Sequence, residues 1–245
     1  MPCIKKPILA AALLAAGALA PAISSMPAAA QETQFIAYGT TFEQLEYRGS
    51  SGSDVLAWDG DFFVGTDEWK FVWQTEGEYA TEPDEFETLE NQFLVTRLIT
   101  DFFDLKAGIR YDAPAGEDRA YGVLGLQGLA PQFIEVDTDL FVSEKGDVSA
   151  RLDLDYEILI TNRIVLTPTA EIDFAFSDDE DIGVGSGLVS TEFGLRLSYD
   201  LIDRAIAPYF GVHYERVYFE TADFARDEGE DVDDIFGVMG VKIRL

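Results

Sequence analysis

The stretch SARLDLDYEILI, Ser149 to Ile160, changes character at every step. Arg151, Asp153, Asp155 and Glu157 fall on one parity; Leu152, Leu154, Tyr156 and Ile158 fall on the other. Successive side chains of a β-strand point to opposite faces, so this segment reads as a strand with one charged and one apolar face. The fold turns on which face meets the interior. In a secreted antiparallel sandwich the apolar face is buried and the charges are solvated. In an outer-membrane barrel the apolar face meets lipid and the charges line the lumen.

The same period recurs along the chain. DLKAGIRYD sets Leu105, Ala107, Ile109 and Tyr111 against Lys106, Gly108, Arg110 and Asp112. FIEVDTDLFV sets Ile134, Val136, Leu140 and Val142 against Glu135, Asp137, Asp139 and Phe141, and EFGLRLSYD sets Phe193, Leu195 and Leu197 against Glu192, Gly194 and Arg196. No stretch sustains a helical period, and the pattern predicts twelve strands. They lie near 34–48, 55–64, 68–77, 86–97, 102–112, 119–129, 132–142, 147–159, 163–176, 188–200, 204–218 and 232–245.

The joints separate the two folds. Longer acidic or Gly-rich joints, such as SDDEDIGVGSG and TADFARDEGED, alternate with tight ones such as GTD, ITD and LAPQ. A sandwich has no strong reason for that rhythm, whereas an outer-membrane barrel has short periplasmic turns and longer outer loops. Tyr38, Tyr47, Trp69, Tyr111, Tyr121, Tyr199, Tyr209 and Tyr218 fall towards strand ends, as girdles do. The ending GVKIRL approximates a terminal barrel strand. The expected fold is all-β: a transmembrane, antiparallel, up-and-down β-barrel of about 12 strands.

Composition narrows the function. Asp and Glu number 46 against 17 Lys and Arg, a net charge of −29, yet 47% of residues are hydrophobic, so the charge does not mean disorder. Such acidity argues against nucleic acid as a partner and favours retention of cations. Residues 1–30 read as a cleaved signal peptide: Lys5 and Lys6, the apolar run PILAAALLAAGALA, and Ala28-x-Ala30 before Gln31. The barrel domain is then 31–245. The one cysteine, Cys3, lies in the leader; beyond it stand one methionine, Met239, and one histidine, His213. An exported chain of this kind has no thiol nucleophile and no disulfide. GVGSGL, Gly183 to Leu188, superficially resembles a catalytic Gly-Ser turn but has no identifiable base, so no enzyme is expected.

In a barrel the charged parity becomes the lumen. Its candidates to touch a metal are His213, Glu215, Asp137, Asp139, Asp153 and Asp155. Oxygen donors suit hard ions, and imidazole suits Cu(II), Zn or Ni. The plainer reading is a mutually paired charge network that fills a narrow barrel.

Three long stretches carry a resemblance: Tyr121 to Ile172, Gly183 to Arg216 and TADFARDEGEDVDD, with LEYR at Leu45–Arg48 and YD at Tyr111–Asp112. They resemble the outer-membrane copper resistance protein B family from about Gln34 onward. The resemblance implies an outer-membrane barrel in copper homeostasis that binds copper or helps move it out of the periplasm. It implies as partners the outer-membrane lipid, the barrel-assembly machinery and periplasmic copper proteins. Family members often carry a Met- and His-rich segment before the barrel; here only QET separates Ala30 from the first strand. The soft donors suited to Cu(I) are therefore scarce, leaving Cu(II) contact by His213 and carboxylates. The alternative is a structural or generally cation-permeable barrel without metal selectivity.

Overall fold

The computed structural model describes residues 35–245, apart from 51–53, 83, 115–116, 203 and 230. The leader lies outside the described residues. The strands are β1 (Ala37–Gly49), β2 (Val55–Gly65), β3 (Trp69–Ala80), β4 (Glu85–Thr100), β5 (Phe103–Asp112), β6 (Arg119–Ala130), β7 (Ile134–Ser143), β8 (Val148–Tyr156), β9 (Ile158–Leu159), β10 (Ile164–Ala175), β11 (Gly187–Tyr199), β12 (Ile206–Val217) and β13 (Asp233–Arg244). Neighbours in sequence pair antiparallel, and β1 pairs with β13 to close the sheet. β8 and β9 are two pieces of one stave, so the barrel has the twelve staves the alternation predicts. The stave breaks at Glu157, opposite Thr167 and Pro168, because proline has no N–H to give the ladder.

The chain ends of β1 and β13 share one rim with the tight turns at 66–68, 101–102, 131–133, 160–163 and 200–205. The opposite rim carries the connections 50–54, 81–84, 113–118, 144–147, 176–186 and 218–232. Short turns of outer-membrane barrels are periplasmic, which orients the molecule. No described helix is long and apolar enough to cross a membrane; strands do the crossing here.

Parity holds around the wall. Ile109, Leu124, Phe193, Phe210 and Met239 are exposed on the outer face, while Lys106, Asp139, Arg196 and His213 are buried inside. Phe42, Phe62, Trp73 and Phe93 form a run of ring contacts on the outside of β1–β4, with centroids 5.6, 4.9 and 6.2 Å apart. The core lies within the barrel, where Val72, Leu94, Val123 and Phe141 form one apolar cluster and Val55, Phe236 and Val238 another.

Two expectations need correction. Tyr121 and Tyr209 are not girdle residues: Tyr121 packs on Phe141 inside, and Tyr209 donates its hydroxyl to Glu46 at 2.9 Å. A strand end supplies both faces, so position alone does not tell girdle from lumen. The connection 218–232 also holds a helix, α1 (Phe219–Glu228), where no helical period was read. It buries little beyond Thr221 and Ala222, too narrow a face to leave a period, and ends at Gly229 with φ 89°, the left-handed geometry that suits glycine.

Candidate functional site

Parity decides which side chains enter the lumen; register decides which of them meet. Directly opposed residues on antiparallel strands stand about 4.5–5.5 Å apart at Cα. From β5 to β13, one register line runs Asp104, Gln127, Asp137, Asp153, Glu171, Glu192, Glu215, Asp234. Eight consecutive staves thus supply seven carboxylates and one amide, all of inward parity. Asp104 is the second residue of β5 from the turn rim, and Asp234 the second residue of β13 from the loop rim. Strands of such barrels tilt by about 35–45°, so a line across them winds up the wall. This acid row climbs from the periplasmic mouth towards the outer one.

Directly opposed like charges are unfavourable. The neighbouring line on the loop side differs: Lys106, Gly125, Asp139, Arg151 and Asp173 alternate in sign around a glycine. Lys106 Nζ lies 2.6 Å from Asp137 and 2.7 Å from Asp139. Arg151 reaches Asp173 at 3.0 Å, Glu171 at 3.1 Å, Glu90 at 3.3 Å and Glu76 at 3.4 Å. Farther up, Arg110 grips Asp112 through Nε (2.8 Å) and Nη2 (2.7 Å), bonds Glu90 at 2.7 Å, and stacks 4.5 Å over the Phe141 ring.

A cavity of about 650 Å³ extends from the turn rim into the lumen, with Arg48, Glu90 and His213 towards its loop-side end. Fourteen Asp and Glu line it against four Lys and Arg, so its field favours cations. Its lining reaches Asp101 and Phe102 in the β4–β5 turn and includes no described residue from the connections of the loop rim. That rim is bridged. Arg119 points inward from β6, is 2% exposed and holds Asp179 at 2.9 Å. Asp179 belongs to the 176–186 connection after β10, and β7 and β8 stand between, so this loop reaches across the mouth. Lys145 pairs with Asp181, and the Ser177 hydroxyl donates to Asp147 at 2.9 Å. α1 joins the same loop, with Gly185 N–H donating to Thr221 Oγ1 at 3.0 Å. Hydrogen bonds from Lys145 and from Ser186 hold the Asp181 and Asp178 carboxyls, respectively, below the usual carboxylate range.

The six predicted site residues fall into two groups. His213 Nε2 lies 3.3 Å from Glu192 and 3.8 Å from Glu215, but also 3.4 Å from Arg48 Nη1; its Nδ1 is buried without a hydrogen-bond partner among the described residues. Asp137 and Asp139 hold Lys106, and Asp153 and Asp155 oppose Asp137 and Glu135 across β7–β8. Asp137, Asp153 and Glu215 all belong to the acid row, which ties the two groups together. Among the described residues no three His, Asp or Glu side chains are grouped to hold a metal ion. Met239 faces outward, so no described sulfur enters the lumen. The donors present suit Cu(II) and hard divalent ions and do not suit Cu(I).

The sequence pattern missed the hub at the seam. The Glu46 carboxylate accepts hydrogen bonds from Arg196 at 2.8 and 3.0 Å, Arg48 at 2.8 Å and Tyr209 at 2.9 Å. Arg48 also pairs with Glu78. The obstacle was a bulge: Phe42 pairs with Gly60 but Gln44 with Asp59, so Glu43 is an extra residue and the parity of β1 switches there.

Comparison with known proteins agrees with this architecture. Residues 36–245 match the family described as "Copper resistance protein B precursor (CopB)". A copper resistance protein B homolog of Pseudomonas syringae pv. tomato (strain ATCC BAA-871 / DC3000) is 36% identical over 201 residues, 82% of this chain and 67% of that protein. The copper resistance protein B of Escherichia coli is 36% identical over 208 residues, 85% of this chain and 69% of that protein. Among solved structures, the NanC porin superposes with a TM-score of 0.52 at 14% identity, covering 85% of this chain and all (100%) of its own; it supports the fold alone. With its apolar wall, charged lumen and closed twelve-stave sheet in the outer membrane, the chain belongs to the copper resistance protein B family.

Proposed function

We propose that this protein serves copper resistance as a non-enzymatic cation path: the acidic cavity collects Cu(II) from the periplasmic side and the acid row passes it outward. The observation that carries this reading is the register line, with seven carboxylates on eight staves rising from one rim to the other. Transit asks for sites attractive enough to enter and weak enough to leave, which spaced carboxylates provide. Carboxylates that are not grouped as a ligand set do not retain Cu(II) as such a set does, so the arrangement favours passage over storage. His213, beside Glu192 and Glu215, supplies one imidazole high on the row.

The test uses full-length protein refolded into lipid vesicles that enclose a copper-sensitive dye. Wild type should admit Cu(II), and Glu171→Gln with Glu192→Gln should slow entry by about tenfold, because each charge along a path contributes to the barrier. Equal entry in wild type and the double variant would sink the reading. A general cation path instead predicts that Ca(II) competes with copper as well as copper competes with itself, and that His213→Ala changes nothing. A metal-selective path predicts that Ca(II) competes poorly and that His213→Ala erases the preference.

A further inference from the structure

Lys106 is among the largest side chains that are fully buried, at 1% exposure, yet it faces the lumen. Its ammonium lies between two carboxylates, 2.6 Å from Asp137 and 2.7 Å from Asp139. The reach is built by the stave between them. Gly125 stands directly opposite both Lys106 and Asp139, and a Cβ there would lie 2.0 Å from Asp139 Oδ1 and 2.8 Å from Lys106 Cε. Only a residue without a side chain lets the lysine cross β6. Asp139 is itself 5% exposed, lines the cavity, and its Oδ1 makes no hydrogen bond among the described residues. Asp137 belongs to the acid row and faces Asp153.

We infer that Lys106 is a tethered cation that fills the pair made by Asp137 of the row and Asp139 of the neighbouring line, so that a mobile cation meets this pair with an ammonium already in it. The inference rests on the lumen being a cation path. A lysine ammonium is a compact monovalent charge on a flexible four-carbon stem, able to swing aside and return. While in place it cancels one of the pair's two negative charges. A divalent ion arriving there gains less than it would from two bare carboxylates, and so it moves on. Without the ammonium, Asp137 and Asp139 become a trap. Lys106 is thus a specificity-determining residue: it sets how long the path holds a divalent ion.

The test compares full-length wild type, Lys106→Met, Lys106→Gln and Lys106→Met with Asp139→Asn, refolded in detergent for Cu(II) and Ca(II) titration and in vesicles for flux. Lys106→Met should bind a divalent ion at least about tenfold more tightly than wild type and pass it more slowly, since a full unit of opposing charge has been removed. Asp139→Asn in that background should abolish the gain, which a role in packing alone does not predict. Should methionine prevent folding, glutamine, which keeps a polar N–H donor without charge, carries the same comparison. Neutral variants that fold and bind as wild type does overturn the inference. A gained site beside a wild type that passes no cation overturns the conduction reading, while keeping Lys106 as the ion that fills this pair.

Discussion

On the loop side of the lumen Arg110 is bracketed by Asp112 and Glu90 and laid over Phe141; on the turn side Asp137 faces Asp153, and Glu135 faces Asp155. The residue types overlap, but the arrangement does not. In the first region Asp112 and Glu90 both lie within ion-pair reach of Arg110, and its stacking on Phe141 joins these charges to an apolar cluster. In the second, acids oppose acids around a cavity, and the one ammonium described there, Lys106, sits on Asp137 and Asp139. Opposed like charges cost stability, so their retention points to work done on something other than the fold.

That contrast can be broken by substitution. The largest effect should come from Glu46→Ala, which strands Arg48 and Arg196 inside the seam. Removing one partner of a buried ion pair costs about 3–5 kcal/mol, readable as a lower urea midpoint of the detergent-folded barrel. A loss under about 1 kcal/mol, the range of an exposed pair, would show that the hub is solvated after all. Phe141→Ala should cost about 3 kcal/mol by opening a cavity beside Val72, Leu94 and Val123; the same measurement applies. Arg119→Ala leaves Asp179 buried without its guanidinium, a local cost of about 1–3 kcal/mol. Its signature is confined to the rim: protease should cut the 176–186 connection sooner while the global midpoint barely moves. Asp153→Asn should sharpen the comparison from the other side. It relieves an acid–acid opposition, so stability should hold or rise by up to about 0.5 kcal/mol while cation entry falls. Loss of stability with entry unchanged would place Asp153 among the structural charges.

Much of the barrel was legible because its strands obey a rule of two. From Phe103 onward, parity separates lipid from lumen without error at Leu105 and Lys106, at Leu140 and Asp139, and at Phe210 and His213. β1 was opaque because the bulge at Glu43 resets its parity, hiding Glu46 and Arg48. The helix α1 was opaque because it exposes most of its surface. The acid row was opaque for a different reason. Asp137, Asp153 and Glu215 could be placed on the inner face from local sequence. Their alignment with Glu171 and Glu192 depends on strand pairing, which no single strand encodes.

The row therefore makes connection length a chemical variable. If β7 and β8 slipped past one another by two residues, every side chain would keep its face and the hydrophobic pattern would look the same. Asp137 would then meet Arg151 or Asp155 in place of Asp153. One direction of slip neutralises a step of the path, and the other shifts it along the wall. The four-residue joint at 144–147, which makes no contact with the cavity, thus helps to fix its charge. In a barrel of this kind the shear of the sheet determines which neighbours each carboxylate has.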